Sequence, residues 1–240
     1  MLLFLRNLLI SYPGILLATV ILGTASVFVS FFSKTGRTQH AISRAWARWL
    51  LWACGVKIRV EGAGNIPPGG SYVLVSNHRS YLDSPIVLPL VDVQFRFLAK
   101  NSVFYWPVIG FHLRRAGHLP VHYDNPRESL KSMAAAARTI QQKGISILLF
   151  PEAGRTMGDL DPFKDGAAYI AIKAGVPVVP MGLLGSLEVL PTGSALIRPG
   201  TVTLKIGEPI PTIDLPLSER TRLTQTMYRR VAELIGVPAA

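Results

Sequence analysis

The stretch Tyr72-Val73-Leu74-Val75-Ser76-Asn77-His78-Arg79-Ser80-Tyr81-Leu82-Asp83-Ser84-Pro85 decides how this chain is read. Its first five residues are an apolar run with the length and β-branched content of a buried strand. Its last two resemble a helix start, with Ser84 as cap and Pro85 at the first helical position, where a missing N–H costs nothing. Between them lies a polar strand-to-helix turn holding His78 and Asp83. Such turns often carry chemistry, because a rigid scaffold holds them while they stay accessible. A neutral imidazole can take a proton from a hydroxyl near pH 7. A carboxylate on its other nitrogen fixes the tautomer and stabilises the imidazolium that forms. A structural alternative stands beside this reading: a buried histidine hydrogen-bonded to a turn aspartate.

The same pattern recurs further along. Ile145-Ser146-Ile147-Leu148-Leu149 reads as a second buried strand, and Phe150-Pro151-Glu152-Ala153-Gly154-Arg155-Thr156 follows it as a polar turn. With both stretches in this order, the chain resembles the glycerolipid acyltransferases, the 1-acylglycerol-3-phosphate (lysophosphatidic acid) acyltransferases and their relatives. Their blocks read Asn-His-x-x-x-x-Asp and Phe-Pro-Glu-Gly-Thr-Arg-Ser. The resemblance runs from about Val56 to about Pro211 and includes Val176 to Gly182, a strand with bounding prolines. It implies transfer of a fatty acyl group from an acyl thioester to the free hydroxyl of a lysophospholipid, foremost 1-acylglycerol-3-phosphate, giving phosphatidic acid.

In that reaction His78 is the base and Asp83 orients it. A thioester is already activated, so positioning and deprotonation suffice without a covalent acyl-enzyme. Arg155 is the candidate for the acceptor's phosphate, since a guanidinium matches phosphate oxygens in a fork. Backbone N–H groups from Glu152 through Gly154 to Arg155 are candidates for an oxyanion. Glu152 either binds the acceptor's hydroxyls or forms a salt bridge to Arg155 or Arg79 that holds the loop. Arg79 and Ser80 shape the first turn. Lys100 matches a family lysine and is a further candidate for phosphate.

One block departs from the family. Gly117-His118-Leu119-Pro120-Val121-His122-Tyr123 stands where the relatives read Gly-x-x-Phe-Ile-x-Arg, so the phosphate-binding Arg of the family is Tyr123 here. A phenol offers one neutral hydrogen bond and no charged fork. Either Arg114, Arg115 or Arg127 compensates, or the acceptor is another lyso-lipid, such as a lyso-aminolipid.

Composition narrows the partners. The 240 residues carry a formal net charge of +11 and are 49% hydrophobic, with a sequence pI near 10.2 and a mean hydropathy of +0.35. Such a charge calls for an anionic partner. The apolar content favours an anionic phospholipid membrane over nucleic acid, and no basic, Gly-rich tail or zinc-finger spacing is present. Acyl-carrier protein and coenzyme A, the two acyl donors considered, are both acidic and suit the basic surface equally. The single Cys54 excludes an internal disulfide. The histidines lack metal-ligand spacing, so no metal is expected, and no cofactor beyond the thioester.

The chain divides at about residue 54. Residues 1–54 read as N-terminal membrane-embedded and interfacial helices. Pro13-Gly14 breaks a first apolar run, and Gly14 to Phe32 is uncharged over about one bilayer crossing. One crossing and two embedded helices bent at Pro13-Gly14 both fit. Lys34, Arg37, Arg44 and Arg48 follow the run against Arg6 before it, so the positive-inside rule puts the remainder on the cytoplasmic face. Residues 38–54 form a helix with Ala41, Ile42, Ala45, Trp46, Trp49, Leu50 and Ala53 along one stripe, either interfacial or packed on a core.

Residues 55–240 read as an α/β acyltransferase domain, a mixed β-sheet flanked by helices. Strands are expected at 57–61, 72–76, 96–100, 145–149, 176–182 and 202–206. Helices are expected at 85–90, within 101–116, from Pro126 behind the cap Asn125, from Gly166 to Gly175, and at 218–235. Two other classes of function compete. A serine or cysteine hydrolase lacks its Gly-x-Ser-x-Gly elbow. A non-catalytic membrane-binding protein leaves the order of His78, Asp83, Glu152 and Arg155 as coincidence.

Overall fold

In a computed structural model of the chain, residues 1–33 and 35–238 are described. Lys34, one of the basic residues flanking the apolar segment, lies outside them. The N-terminal segment is one continuous helix, Leu2–Val29. It consists of α1 (Leu2–Arg6), a π-helical turn (Asn7–Ser11) and α2 (Tyr12–Val29). The expected break at Pro13-Gly14 does not occur. Proline lacks an N–H and its ring crowds the carbonyl four residues back. The wider π turn immediately before it relieves both without ending the helix. Gly14 has another use: a Cβ there would lie 2.8 Å from the Cβ of Ala53. Ala53 belongs to α3 (Arg37–Cys54), which packs along α2.

Seven strands form one sheet: β1 (Val56–Glu61), β2 (Val73–Ser76), β3 (Phe95–Lys100), β4 (Leu119–Val121), β5 (Ser146–Leu149), β6 (Val178–Leu184) and β7 (Gly200–Ile206). The order is β1-β7-β6-β2-β5-β3-β4. Five neighbouring pairs are parallel; β6 and β7 pair antiparallel, so β1 and β7 run against the other five. The expected mixed α/β sheet is therefore present, with β4 added within a block from which no strand was read.

Alternation along the strands builds two cores. Leu74 of β2 joins Phe95, Met181 and Leu204 on one face, under Leu50, Leu51 and Cys54 of α3 and Ile86 of α4 (Asp83–Leu90). Val73 and Val75 point to the other face. There they meet α6 (Pro126–Lys143), α7 (Gly166–Ala174) and α9 (Arg220–Ile235). Small residues set the spacing on that side: Ala136 and Ala137 of α6 are buried, as are Ala167, Ala168 and Ala171 of α7. Asn125 caps α6 as its sequence predicts, its Oδ1 accepting from Arg127 N at 3.1 Å and Glu128 N at 3.2 Å. The aromatic stretch after β3 becomes a 3₁₀ turn (Asn101–Tyr105) and α5 (Ile109–Ala116), and the short α8 (Ser186–Val189) follows β6.

The face that α3 buries is rotated from the stripe read in its sequence. Ala47, Leu50, Leu51 and Cys54 enter the core, whereas Ala41, Ala45 and Trp49 are exposed. Trp46 turns toward α2, donating Nε1–H to Thr19 Oγ1 at 3.1 Å. The helix serves two neighbours, sheet and α2, and one stripe cannot describe both. Further polar ties run the length of the N-terminal helix. Asn7 exchanges two bonds with the backbone of Ile197, at 2.8 and 3.0 Å. Tyr12 donates to Ala195 O at 2.6 Å, and Arg115 reaches Ser30 Oγ at 2.9 Å.

Candidate active site

The register of the central strands brings the two polar turns together. Val75 of β2 sits opposite Leu149 of β5 in a parallel pair. His78 and Glu152 follow three residues beyond each, so they emerge side by side at the C-terminal edge of the sheet. Ligands bind at this edge in open α/β sheets. Asn77 anchors the first turn. Fully buried, it donates Nδ2–H to Leu183 O at 2.9 Å and accepts Leu183 N–H at 2.7 Å.

Asp83 then organises the turn. Its Oδ2 lies 2.8 Å from His78 Nδ1 and accepts the backbone N–H groups of Arg79 at 2.6 Å and Ser80 at 2.7 Å. The helix α4 thus begins at Asp83, with Leu82 at the cap position, two residues earlier than a Ser84 cap would place it. The backbone of the turn competes for the carboxylate and draws Asp83 into the first helical position, where a negative charge also suits the helix dipole. Asp83 is wholly buried and the His78 side chain is only 12% exposed. The ring of His78 stacks on Phe150, centroids 4.0 Å apart and planes 12° from parallel. With Nδ1 held by the carboxylate, Nε2 is the nitrogen left to accept a proton.

The second turn closes over the first. Ala153 N–H donates to Phe150 O at 3.1 Å, forming a tight turn around Pro151 and Glu152. Glu152 is buried, and its oxygens accept His78 N–H at 2.6 Å and Asp161 N–H at 3.1 Å. Burial, opposed by those two hydrogen bonds, pushes its carboxyl up to about 7. No salt bridge joins it to Arg155 or Arg79 among the described residues. Thr156 N–H returns to His78 O at 3.1 Å, and Arg79 donates Nη2–H to Gly158 O at 2.6 Å.

Arg155 projects from this turn, its guanidinium 4.1 Å above the ring of Tyr81. A stacked guanidinium is oriented through its face, so its N–H edges stay available to an anion. Gly154 is exposed, and a Cβ there would meet no atom within 4 Å.

Six of the residues singled out in the sequence therefore converge: His78, Arg79, Asp83, Glu152, Gly154 and Arg155. Lys100 and Tyr123 do not join them by direct contact. Lys100 is exposed at the end of β3. Tyr123 lines a cavity of about 600 Å³ between α6 and α7, with Phe150 and Ala153 in the same wall. Its ring faces Lys164 Nζ at 5.4 Å from the centroid. Sequence reasoning assigned no role to Asn77, Tyr81 or Phe150. The adjacency of Asn77 and Phe150 to the two turns was visible, but pairing across the sheet was not.

A His–Asp pair at the C-terminal edge of a mixed α/β sheet, closed by a Pro-Glu turn and fronted by an arginine, defines a class. The chain belongs to the acyltransferase family, whose profile, described as Acyltransferase, matches residues 57–184. The chain is 35% identical over 195 residues to the chloroplastic 1-acyl-sn-glycerol-3-phosphate acyltransferase BAT2 of Brassica napus, a match spanning 80% of this chain and 56% of that protein. It is 27% identical to the human 1-acyl-sn-glycerol-3-phosphate acyltransferase beta, over 81% of this chain and 71% of that one. Against its first plant relatives it spans little more than half their length. The structure is similar to that of the 1-acyl-sn-glycerophosphate (LPA) acyltransferase PlsC from Thermotoga maritima, with a TM-score of 0.77, 26% identity and 97% coverage of both chains.

Proposed function

We propose that this protein transfers an acyl group from a thioester, carried by coenzyme A or acyl-carrier protein, to the free hydroxyl of 1-acylglycerol-3-phosphate, giving phosphatidic acid. The observation that carries the reading is the 2.8 Å contact between His78 Nδ1 and the buried Asp83 carboxylate, which leaves Nε2 to act as base. As the hydroxyl attacks the thioester carbonyl, its proton passes to Nε2. Asp83 stabilises the resulting imidazolium, and the thiolate departs as the tetrahedral intermediate collapses. Arg155 receives the acceptor's phosphate. The chemistry needs no metal or further cofactor.

The reading extends to the membrane. The 28-residue N-terminal helix is long and apolar enough to cross a bilayer, and Leu2, Phe4, Leu9, Leu16 and Phe28 are exposed on it. The α/β sheet and its loops accompany that helix from Asn7 to Ser30 through the hydrogen bonds to Ile197, Ala195 and Arg115. A helix held to a polar domain along its length enters the bilayer sideways, with the domain on one face. We place that face on the cytoplasmic side, where anionic lipid attracts a chain of net charge +11.

The test is transfer of a labelled acyl chain from each donor to a panel of lyso-lipids by purified protein in mixed micelles. Transfer to 1-acylglycerol-3-phosphate, lost by about a hundredfold or more in His78→Ala, is the expected result. Transfer confined to another lyso-lipid moves the acceptor and directs attention to Tyr123. No transfer to any acceptor by folded protein sinks the reading.

A further inference from the structure

A Glu152 that bound the acceptor's hydroxyl would present its oxygens to the site, yet they face the protein. Oε1 accepts the backbone N–H of His78 at 2.6 Å, and Oε2 accepts that of Asp161 at 3.1 Å. The residue is 7% exposed. The His78 carbonyl is taken by the same turn, through Thr156 N–H at 3.1 Å. The His78 ring lies flat against Phe150, two residues before Glu152. Backbone donor, backbone acceptor and ring face of His78 are thus all held by residues 150–156. The remaining handle, Nδ1, is held by Asp83.

From this geometry we infer that Glu152 is a positioning residue for the acyl transfer. It staples the backbone of His78 to the second turn, so that the distance from Nε2 to the attacking hydroxyl is set, and it makes no contact with the acceptor. The inference rests on the acyl-transfer reading for its kinetic consequence but not for its structural one. Three further observations support it. First, the two bonds bridge the chain across the turn: Asp161 opens the segment that returns to the sheet face, and Lys164 N–H then binds Pro151 O at 2.9 Å. Second, the burial that pushes the Glu152 carboxyl up to about 7 disfavours the charged group there. That disfavour needs an explanation other than stability. Third, the salt-bridge alternatives with Arg79 and Arg155 are taken elsewhere: Arg79 reaches Gly158 O, and Arg155 stacks on Tyr81.

The burial effect fixes the sign of the Glu152 contribution to stability. A folded-state value raised from 4.5 to about 7 means that the folded protein holds this proton longer than the unfolded chain. The contribution is favourable below about 4.5 and is lost as pH rises through about 7. At pH 8 a neutral glutamine therefore gains relief from that burden. It also keeps one acceptor oxygen and loses the other, since its amide N–H₂ meets an N–H donor.

The experiment uses the full chain in detergent, with Glu152→Gln, Glu152→Ala and wild type compared in three readouts. Residue-resolved amide hydrogen exchange reports the staple without reference to activity. The His78 and Asp161 amides are expected to be protected in wild type, to exchange at least about tenfold faster in Glu152→Ala, and to lie between in Glu152→Gln. Steady-state transfer from acyl-coenzyme A to 1-acylglycerol-3-phosphate reports its consequence. A displacement of the base on the order of 1 Å is expected to lower kcat in Glu152→Ala by about a hundredfold, with KM for the acceptor within about twofold. Denaturant unfolding at pH 8 is expected to find Glu152→Gln no less stable than wild type. Equal exchange at His78 in all three proteins overturns the inference, whatever the activity. So does a KM for the acceptor raised tenfold or more with kcat retained, which is the signature of a lost substrate contact. A wild type that protects His78 but transfers nothing overturns the acyl-transfer reading and leaves the staple in place.

Discussion

Asp83 Oδ2 accepts three N–H groups, from His78 Nδ1, Arg79 and Ser80, within 2.8 Å. Such a carboxylate fixes the imidazole's tautomer and the turn at once. Asp83→Asn keeps the size but can present an amide N–H₂ to donors, so the backbone bonds and the ring's orientation compete. We expect kcat to fall on the order of 10²- to 10⁴-fold, measured as acyl transfer at saturating acceptor; a loss under about threefold would exclude Asp83 as the orienting group. Ala153 stands where the family reads Gly, and its φ of 65° lies in the left-handed region. A Cβ there costs about 1 kcal/mol or more, offset in part by the entropy a glycine loses on folding. Ala153→Gly should therefore stabilise by about 0.5 to 1 kcal/mol in denaturant melts, and a destabilised variant would count against the strain. Tyr123 holds the position of the family's phosphate-binding Arg, and it lines the wall of the cavity beside the site, facing Lys164. Tyr123→Arg should leave KM for 1-acylglycerol-3-phosphate within about twofold if the cavity wall is its only role; a fall of tenfold would mean that position 123 reaches the phosphate.

At the scale of elements, the hairpin of the N-terminal helix and α3 depends on close approach. A Cβ on Gly14 would come within 2.8 Å of the Ala53 Cβ, and one on Gly23 within 2.7 Å of Val108 Cγ1. Small residues at such crossings let helices approach each other's backbones, and larger ones force them apart. Gly14→Leu is expected to cost about 1 to 3 kcal/mol, seen as a lower Tm in detergent together with faster proteolysis after residue 30. Gly64→Ala is the control, since a Cβ there meets nothing within 4 Å. If both variants melt alike, α2 and α3 do not depend on the contact at Gly14. The apolar length of the N-terminal segment was legible from composition. Its continuity through Pro13 was not, because a π turn is a backbone adjustment with no side-chain signature. The strands were legible because each is a short apolar run between turn residues. The core face of α3 was not, because two neighbours each claim part of the helix.

For the molecule as a whole, the expected boundary at residue 54 meets a shared core: Ala47, Leu50, Leu51 and Cys54 are buried with strand residues of the sheet. Deleting residues 1–54 should leave a chain without a cooperative unfolding transition, since Leu50 and Leu51 are each worth about 1.5 to 3 kcal/mol and Ala47 and Cys54 leave the core with them. A sharp transition in circular dichroism would show that residues 55–240 fold on their own. The same interface holds a cluster of buried imidazoles. His40 and His112 are lowered from 6.5 to about 4, and His118 is lowered well below its ordinary value, mainly by burial, with Arg96 adding to each and Arg44 also acting on His40. The unfolded chain takes up these protons near pH 6.5, the folded one only near or below 4. The contribution of His40 and His112 to stability is therefore full above about 6.5 and falls as pH drops toward 4, by on the order of 1 to 3 kcal/mol each, against the opposite trend of Glu152. Denaturant melts at pH 7.5 and 5 should show the loss, and His112→Asn should reduce it. Identical profiles in wild type and His112→Asn would mean that the His112 imidazole titrates normally.

The sequence by itself determined the class of fold, the family and the members of the His–Asp pair, because these rest on local signals: apolar runs of strand length, turn residues, and two blocks in order. Tertiary structure alone decided what those residues touch. The parallel register that sets Val75 against Leu149 brings His78 beside Glu152, and no property of either segment by itself contains that pairing. It also turned Glu152 inward, removed Tyr123 and Lys100 from direct contact with the site, and laid the apolar helix along the sheet's neighbours from Asn7 to Ser30. The physical reason is that local propensity is encoded residue by residue. Hydrogen-bond partners are allotted by competition among all the groups that folding buries together.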